Sequence, residues 1–559
     1  MYLPAILLIV AATLADSQRV IIPNGVIQGR VEYSLRGYSF NSFQQIPYAQ
    51  PPIGPLRFQP PLPAKKWKGI LNATVNDKVC YQMNNLLQLP PNNPFESEDC
   101  LYLNVYTPAG TKLGDKLPVM VYIHGGGFEV GTGNFIYLGP HYWMEHGVVV
   151  ITLNYRLGPF GFLSTGDTVL PGNYGLKDQL MALKWVRTNV AYFGGDPDKV
   201  TIFGQSAGAS SVAYLLMTEK SKGLFRAAIA QSGTILSPWA YQRHHTEYAY
   251  ELGSFLDPAF TTENTTQELM EYLQSVPPKE LNEAAIERFP EHWEVDPKLQ
   301  TPFAPSIEPD HPGAFITGRM YEAIAGGKMQ RRPLMMGTCS EDYMYAVALD
   351  VNRFLNEGTK TFDDNLLLLY NENMHLTDEK KQLAAARAIK RIYTNESFYE
   401  HPGKLIQFRS DEGFGLPGWK HAKMQSEFSD VFYYQFSYMG SIPPPRPNIP
   451  ESNRVGHGDE NYYMWVFNNN SNLNDYPQSD IITSERLRTL FTNFAKYLDP
   501  TFDRKDVLGV NSWEKVEPCT FNYLNINETL KVQTNLKQDI FEDWEKVYDK
   551  FAVEPLDTY

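Results

Sequence analysis

Short apolar runs closed by glycine or proline recur along the chain and predict strands buried on both faces. Leu117 to Phe128, LPVMVYIHGGGF, reads as one such strand running into three glycines, and Gly147 to Gly158, GVVVITLNYRLG, as another. Val200 to Phe203 ends a third, and Phe225 to Gly233, Arg332 to Thr338 and Asp430 to Tyr438 predict later parallel strands. Between them the period changes: from Asn173 to Asp196, Leu176, Leu180, Leu183, Trp185 and Val186 fall on one apolar face of a helix. Nearer the N-terminus, Val20 to Gly37 alternates apolar and turn residues as short antiparallel strands do. Glu96 to Pro108 reads as a loop feeding a strand. The prolines of Ile46 to Phe58 and of Pro443 to Pro450 predict irregular segments. Strands alternating with helices point to an α/β protein: a large, mostly parallel or mixed central sheet covered by helices on both faces, with a small N-terminal antiparallel sheet.

The 559 residues are 43% hydrophobic, ample for a sizeable core, and no repeat or low-complexity tract divides them, so 18–559 reads as a single domain. A formal net charge of -14 repels nucleic acid and anionic membranes, and neither is an expected partner. Residues 1–17 read as a signal peptide, because the apolar run is too short to cross a bilayer, which takes about 20 residues. The C-terminal KFAVEPLDTY has neither an anchor tail nor a retention tetrapeptide, so a secreted, extracellular protein with no membrane anchor is expected. Sequons at Asn72, Asn264, Asn395, Asn469 and Asn527 fit a secreted glycoprotein. In an oxidising compartment Cys80 and Cys100 can close a short loop, worth about 3 kcal/mol in the chain-entropy model. Cys339 and Cys519 read as buried free thiols, with an intermolecular bridge through Cys519 as the alternative, and the spacing of the cysteines suits no zinc site.

The candidate chemistry centres on Val200 to Ser211, VTIFGQSAGASS. Gly204-Gln205-Ser206-Ala207-Gly208 matches the G-x-S-x-G elbow, a sharp strand-to-helix turn that holds a serine hydroxyl proud of the backbone. The pattern alone is weak, since an ordinary strand-to-helix turn of small residues reads the same way. A hydroxyl also needs a base held in one tautomer by an acid.

EDCLYLNVYTP, IHGGGF, NYRLGPFGFL, GLKDQLMALKWV, GGDPDKVTIFGQSAGA and VGHGDE, in that order, resemble the type B carboxylesterases, the family that includes cholinesterases and insect juvenile hormone esterases. The resemblance covers nearly the whole chain after residue 17. It implies an α/β-hydrolase fold with a gorge leading to the elbow, and a carboxylic ester hydrolase working through an acyl-enzyme without cofactor or metal. Ser206 is then the nucleophile and His457 the base. Asp342 is the acid, with Glu341 as the alternative one register away, because Tyr343 stands where the family has glycine. The backbone N–H groups of Gly126, Gly127 and Ala207 form the oxyanion hole. His124 becomes a structural neighbour of that hole, although its place before the glycines makes it the competitor to His457. A phosphate-binding loop at Gly125 to Gly127 would need a Gly-Lys-Ser/Thr ending that is absent. Arg57 with Glu98 and Arg156 with Asp178 resemble bracing ion pairs, Ser232 a residue near the histidine, and Trp239 a wall of the acyl pocket, with core packing an equal reading of that tryptophan. Gln205, Trp239 and the apolar segment from Phe303 to Ile307 are the expected substrate pocket.

Two departures narrow the substrate. No tryptophan lies between Cys80 and Cys100, so the aromatic surface that holds choline in cholinesterases is missing from its usual loop, and Gln205 replaces the glutamate usually found beside the serine. A small-molecule ester is the expected partner, and three readings remain. One is a secreted carboxylesterase for neutral, apolar esters such as volatile odorants; the second is a juvenile hormone esterase; the third is a catalytically silent adhesion protein on the same fold.

Overall fold

The computed structural model describes residues 17–83, 95–289, 301–467 and 475–559. Residues 1–16 of the expected signal peptide and the sequon at Asn469 lie outside the described residues.

Among the described residues thirteen strands form one sheet. In chain order they are β1 (Ser17–Ile22), β2 (Gly25–Tyr33), β3 (Ser39–Pro47), β4 (Ile70–Asn72), β5 (Tyr102–Pro108), β6 (Leu117–Ile123) and β7 (Val149–Leu153). Then follow β8 (Gly195–Gln205), β9 (Ala227–Gln231), β10 (Leu334–Cys339), β11 (Val431–Phe436), β12 (Asn522–Ile526) and β13 (Leu530–Thr534). They lie side by side as β1-β2-β3-β5-β7-β6-β8-β9-β10-β11-β12-β13, with β4 paired to β2. From β7 to β12 every pairing is parallel. Antiparallel strands extend both edges.

The unbroken apolar runs follow from burial on both faces. Along β6, Val119, Val121 and Ile123 join one core and Met120 and Tyr122 the other, the two-residue period of a pleated strand covered on each side. Helices α1 (Tyr174–Asn189) and α2 (Ala207–Met217) supply Leu176, Leu183, Val212 and Leu215 to the first core. Helix α3 (Gln478–Tyr497) supplies Leu487, Leu490, Phe491 and Phe494 to the second.

Three features differ from the pattern reading. The N-terminal antiparallel strands are continuous with the large sheet, because β3 hydrogen-bonds to β5 across a bulge between Phe43 and Ile46. Helix α1 stops at Asn189 and the chain tightens into a short 3-10 turn before Gly194, whose φ of 81° breaks the run and lets β8 begin at Gly195. The hairpin β12–β13 at the far edge carries no apolar run strong enough to announce it: in β13 only Leu530 is buried.

Covalent and ionic braces hold the edges of the site. Cys80 and Cys100 form a disulfide and Cys339 is a buried free thiol, whereas Cys519 is exposed and not buried as expected from the sequence. Arg57 makes a bidentate pair with Glu98 at 2.7 and 2.8 Å and also donates to the Leu273 and Val276 carbonyls. Arg156 grips Asp178 in the same way at 2.8 and 2.7 Å, with Asp178 wholly buried. Removing one partner of such a pair leaves an uncompensated charge and costs about 3–5 kcal/mol.

Candidate active site

The carboxyl ends of β6, β8 and β10 come together, the edge at which open α/β sheets gather their chemistry. Strand β6 runs into His124 and the glycines, β8 into Ser206, and β10 into Asp342. Ser206 sits at φ 61° and ψ -127°, a conformation that a non-glycine residue adopts at a cost of order 1–3 kcal/mol, and its N–H donates to the Gln231 carbonyl at 2.8 Å. Glycine is required at position 208, because a Cβ there would stand 2.0 Å from the Ile123 carbonyl oxygen of β6. The elbow is thereby packed backbone to backbone against the strand that delivers the glycine run.

His457 is fixed from β10. Its N–H donates to the Asp342 carbonyl at 3.0 Å, and its Nδ1 lies 2.8 Å from Asp342 Oδ1. This places the ring proton of neutral His457 on Nδ1 and leaves Nε2 as the basic nitrogen. Nε2 is 2.9 Å from the Gln205 amide nitrogen. Glu341 turns elsewhere: its Oε2 accepts from the Ser452 hydroxyl and from the N–H groups of Asn453 and Arg454, tying down the loop that leads to His457. Of the two acidic candidates, Asp342 is the one brought to the imidazole.

Gly126 and Gly127 both have positive φ, 107° and 62°, and neither donates a backbone hydrogen bond among the described residues. A Cβ on Gly126 would stand 2.2 Å from the Val130 carbonyl oxygen, so only glycine lets this loop close. Ala207 is the first residue of α2, whose N–H has no preceding turn to bond to. The structure thus leaves three donors unclaimed around the elbow. His124 lies at the base of the loop with Nδ1 2.8 Å from the Gly125 carbonyl and its ring stacked on Tyr155 at 4.4 Å. Burial pushes its imidazole down to about 4, which keeps it neutral and away from proton transfer near pH 7.

Aromatic rings gather at the His457 imidazole. Phe414 stands 4.5 Å from the His457 ring and Tyr345 5.3 Å from it, while Trp239 packs on Phe414 at 5.6 Å and donates its Nε1–H to the Gly413 carbonyl. Thr301 reaches to within 3.4 Å of where a Cβ on Gly127 would stand, and its hydroxyl donates to the Trp239 carbonyl. Phe303 instead is a core residue, 2% exposed, with its ring edge-on to Phe289 at 5.4 Å. Phe414 and Tyr345 escaped the motif reading. Phe414 sits in a π-helical turn, Asp411–Gly415, a distortion that recurs at functional sites but leaves no residue signature.

A cluster of carboxyl groups also escaped it. Asp411 pairs with Lys537 at 2.6 Å and Asp459 pairs with Arg446. Glu460, wholly buried, instead meets the Cys339 thiol at 2.9 Å and the Gln231 amide at 3.4 Å. Burial, with the Asp342 charge nearby, pushes the Glu460 carboxyl up to about 7, and burial pushes the Cys339 thiol up as well. Ser232, expected near the histidine, stands at φ 49° at the end of β9 and accepts from the Cys339 N–H at 3.3 Å. It meets β10, the strand that leads to Asp342. Among the described residues no group of His, Cys, Asp and Glu is placed to hold a metal ion. The sequon asparagines Asn72, Asn395 and Asn527 are exposed, and Asn264 is half-buried.

The model of the carboxylesterase family matches residues 16–544. The chain belongs to the carboxylesterase family. This carboxylesterase is 34% identical over 529 residues to venom carboxylesterase-6 of Apis mellifera, covering 92% of this chain and 90% of that protein. It is 33% identical over 533 residues to a juvenile hormone esterase of Tribolium castaneum, covering 90% and 87%. Its fold matches the crystal structure of the juvenile hormone esterase from Manduca sexta, with OTFP covalently attached, at a TM-score of 0.82 and 26% identity, over 95% of this chain and all of that one. The fold is the α/β-hydrolase fold, and the carboxylesterase is a carboxylic ester hydrolase.

Proposed function

We propose that this carboxylesterase is a secreted serine esterase for neutral, apolar carboxylic esters, its residues 18–559 forming one catalytic domain. The observation that carries the reading is the Ser206 elbow beside a His457–Asp342 pair whose hydrogen bond leaves Nε2 as the basic nitrogen. Ser206 Oγ attacks the ester carbonyl while its proton passes to His457 Nε2. The carbonyl π electrons move onto oxygen, where the N–H groups of Gly126, Gly127 and Ala207 receive the charge. Collapse of this adduct expels the alcohol, which takes the proton from His457, and leaves an acyl-serine. Water, deprotonated by the same nitrogen, then releases the acid. Asp342 holds the tautomer and offsets the imidazolium charge.

The neutral Gln205, next to Ser206 in the chain, and the rings of Trp239, Phe414 and Tyr345 support an uncharged, apolar substrate. The likeness to the Manduca sexta structure supports juvenile hormone as the second reading. A panel of aliphatic acetates, longer acyl esters, a juvenile hormone and a choline ester decides between them. The proposal expects kcat/KM for a neutral ester at least tenfold above the matched choline ester, about 1.4 kcal/mol in transition-state binding. Preference for the choline ester overturns the pocket argument, and preference for the hormone promotes the second reading.

A further inference from the structure

Gln205 occupies a place in this site that a substrate-pocket role does not explain. Its main chain is the last residue of β8, paired with Gln231 of β9, and its side chain is nearly buried, at 8% exposure. The amide lies between the two glycine-flanked motifs: Oε1 is 3.0 Å from where a Cβ on Gly125 would stand, and Nε2 is 3.5 Å from the corresponding point on Gly458. A side chain at position 125 would crowd the amide, and one at position 458 would lie in van der Waals contact with it. Because Asp342 Oδ1 claims the Nδ1 proton of His457, the Nε2 lone pair is free to accept, and the Gln205 amide nitrogen is the donor that meets it at 2.9 Å. Ser206 Oγ, the hydroxyl that needs this same lone pair, makes no hydrogen bond among the described residues.

We propose that Gln205 is a positioning residue that caps the catalytic base: in the resting enzyme its amide N–H holds His457 Nε2, and Ser206 gains the base only when the amide withdraws. The inference rests on the Ser206–His457 reading given above. The cap keeps the idle imidazole neutral and oriented and keeps the serine unactivated. The amide must leave Nε2 before that nitrogen can take the Ser206 proton, so the resting contact works against the attack step. A carboxylate at position 205 cannot play this part. It has no proton to donate to the lone pair and instead accepts from the imidazolium, so it favours the charged ring; a charge this close moves a titration by about 1–3 pH units.

Two variants read the two halves of the proposal, with Ser206→Ala alongside as the control for the underlying mechanism. In Gln205→Glu the acid limb of kcat/KM, measured with an uncharged ester, is expected to move to higher pH by about one unit or more. A change confined to packing would lower activity at every pH without moving the limb. In Gln205→Met, which keeps the length of the side chain and loses the donor, an uncharged fluorophosphonate at pH 8 is expected to label Ser206 several-fold faster than in the parent. An unmoved limb in the first variant, or slower labelling in the second, overturns the cap. Activity surviving in Ser206→Ala would instead overturn the mechanism on which the cap is built, so the two failures are distinguishable.

Discussion

Glu460 stores a pH dependence that a single substitution exposes. It is wholly buried, its Oε2 meets the Cys339 thiol at 2.9 Å, the charge of Asp342 is nearby, and among the described residues no lysine or arginine pairs with Glu460. Burial first, and the Asp342 charge second, raise its carboxyl from the ordinary 4.5 to about 7 in the folded protein. Below 4.5 the group is protonated whether the chain is folded or not, and it contributes no pH dependence. As pH rises from 4.5 towards 7 the unfolded chain loses this proton while the folded one keeps it, so stability falls, and above 7 the loss is complete at about 3 kcal/mol. Glu460→Gln removes the proton and with it the slope. Urea unfolding of parent and variant at pH 5.5 and pH 8 measures it: the variant is expected to gain about 2 kcal/mol on the parent between the two pH values. A stability difference that is the same at both would mean that Glu460 is ionised in the folded state, and would refute the account of the buried carboxyl cluster.

Two further outcomes follow from the site geometry. Asp342→Asn is expected to lower kcat by about 10⁴, since an amide no longer fixes the Nδ1–H tautomer, whereas Glu341→Gln acts on the loop before His457 and shows mainly as lost thermal stability; a larger kinetic loss in the second variant reverses the assignment. Gly126→Ala forces a Cβ towards the Val130 carbonyl and displaces a proposed oxyanion donor, so kcat is expected to fall by about 10²–10³ while circular dichroism remains that of the parent; unchanged kcat would remove this loop from catalysis.

The parts of this molecule legible in the sequence are those where physics restricts the choice of residue. Strands β6, β7 and β8 must be apolar on both faces, and the elbow and the Gly125 to Gly127 loop admit only glycine where backbones approach to within a side chain's width. These appear as motifs. The choice between Asp342 and Glu341 did not, because adjacent carboxylates are chemically alike until a loop direction is known; the structure separates them by turning Glu341 onto Ser452 and Asn453. Phe414, Tyr345 and the Cys339–Glu460 contact reach the site from elements far apart in the chain, so no local pattern marks them. Phe303 shows the converse: an aromatic in an apolar stretch suits a pocket or a core equally well, and the structure puts it in the core. The N-terminal strands were legible as antiparallel, but their union with the large sheet depends on the β3–β5 pairing between distant segments.

The central claim is that Ser206 is the residue acylated in the reaction, and covalent trapping tests it most directly. The purified protein is treated with an uncharged fluorophosphonate at pH 8, its intact mass is measured, and the modified peptide is located by fragmentation. The account predicts one adduct per chain, on Ser206, formed in step with loss of ester hydrolysis and absent from Ser206→Ala. An adduct at another residue with activity lost, or full activity remaining once Ser206 is modified, would contradict it.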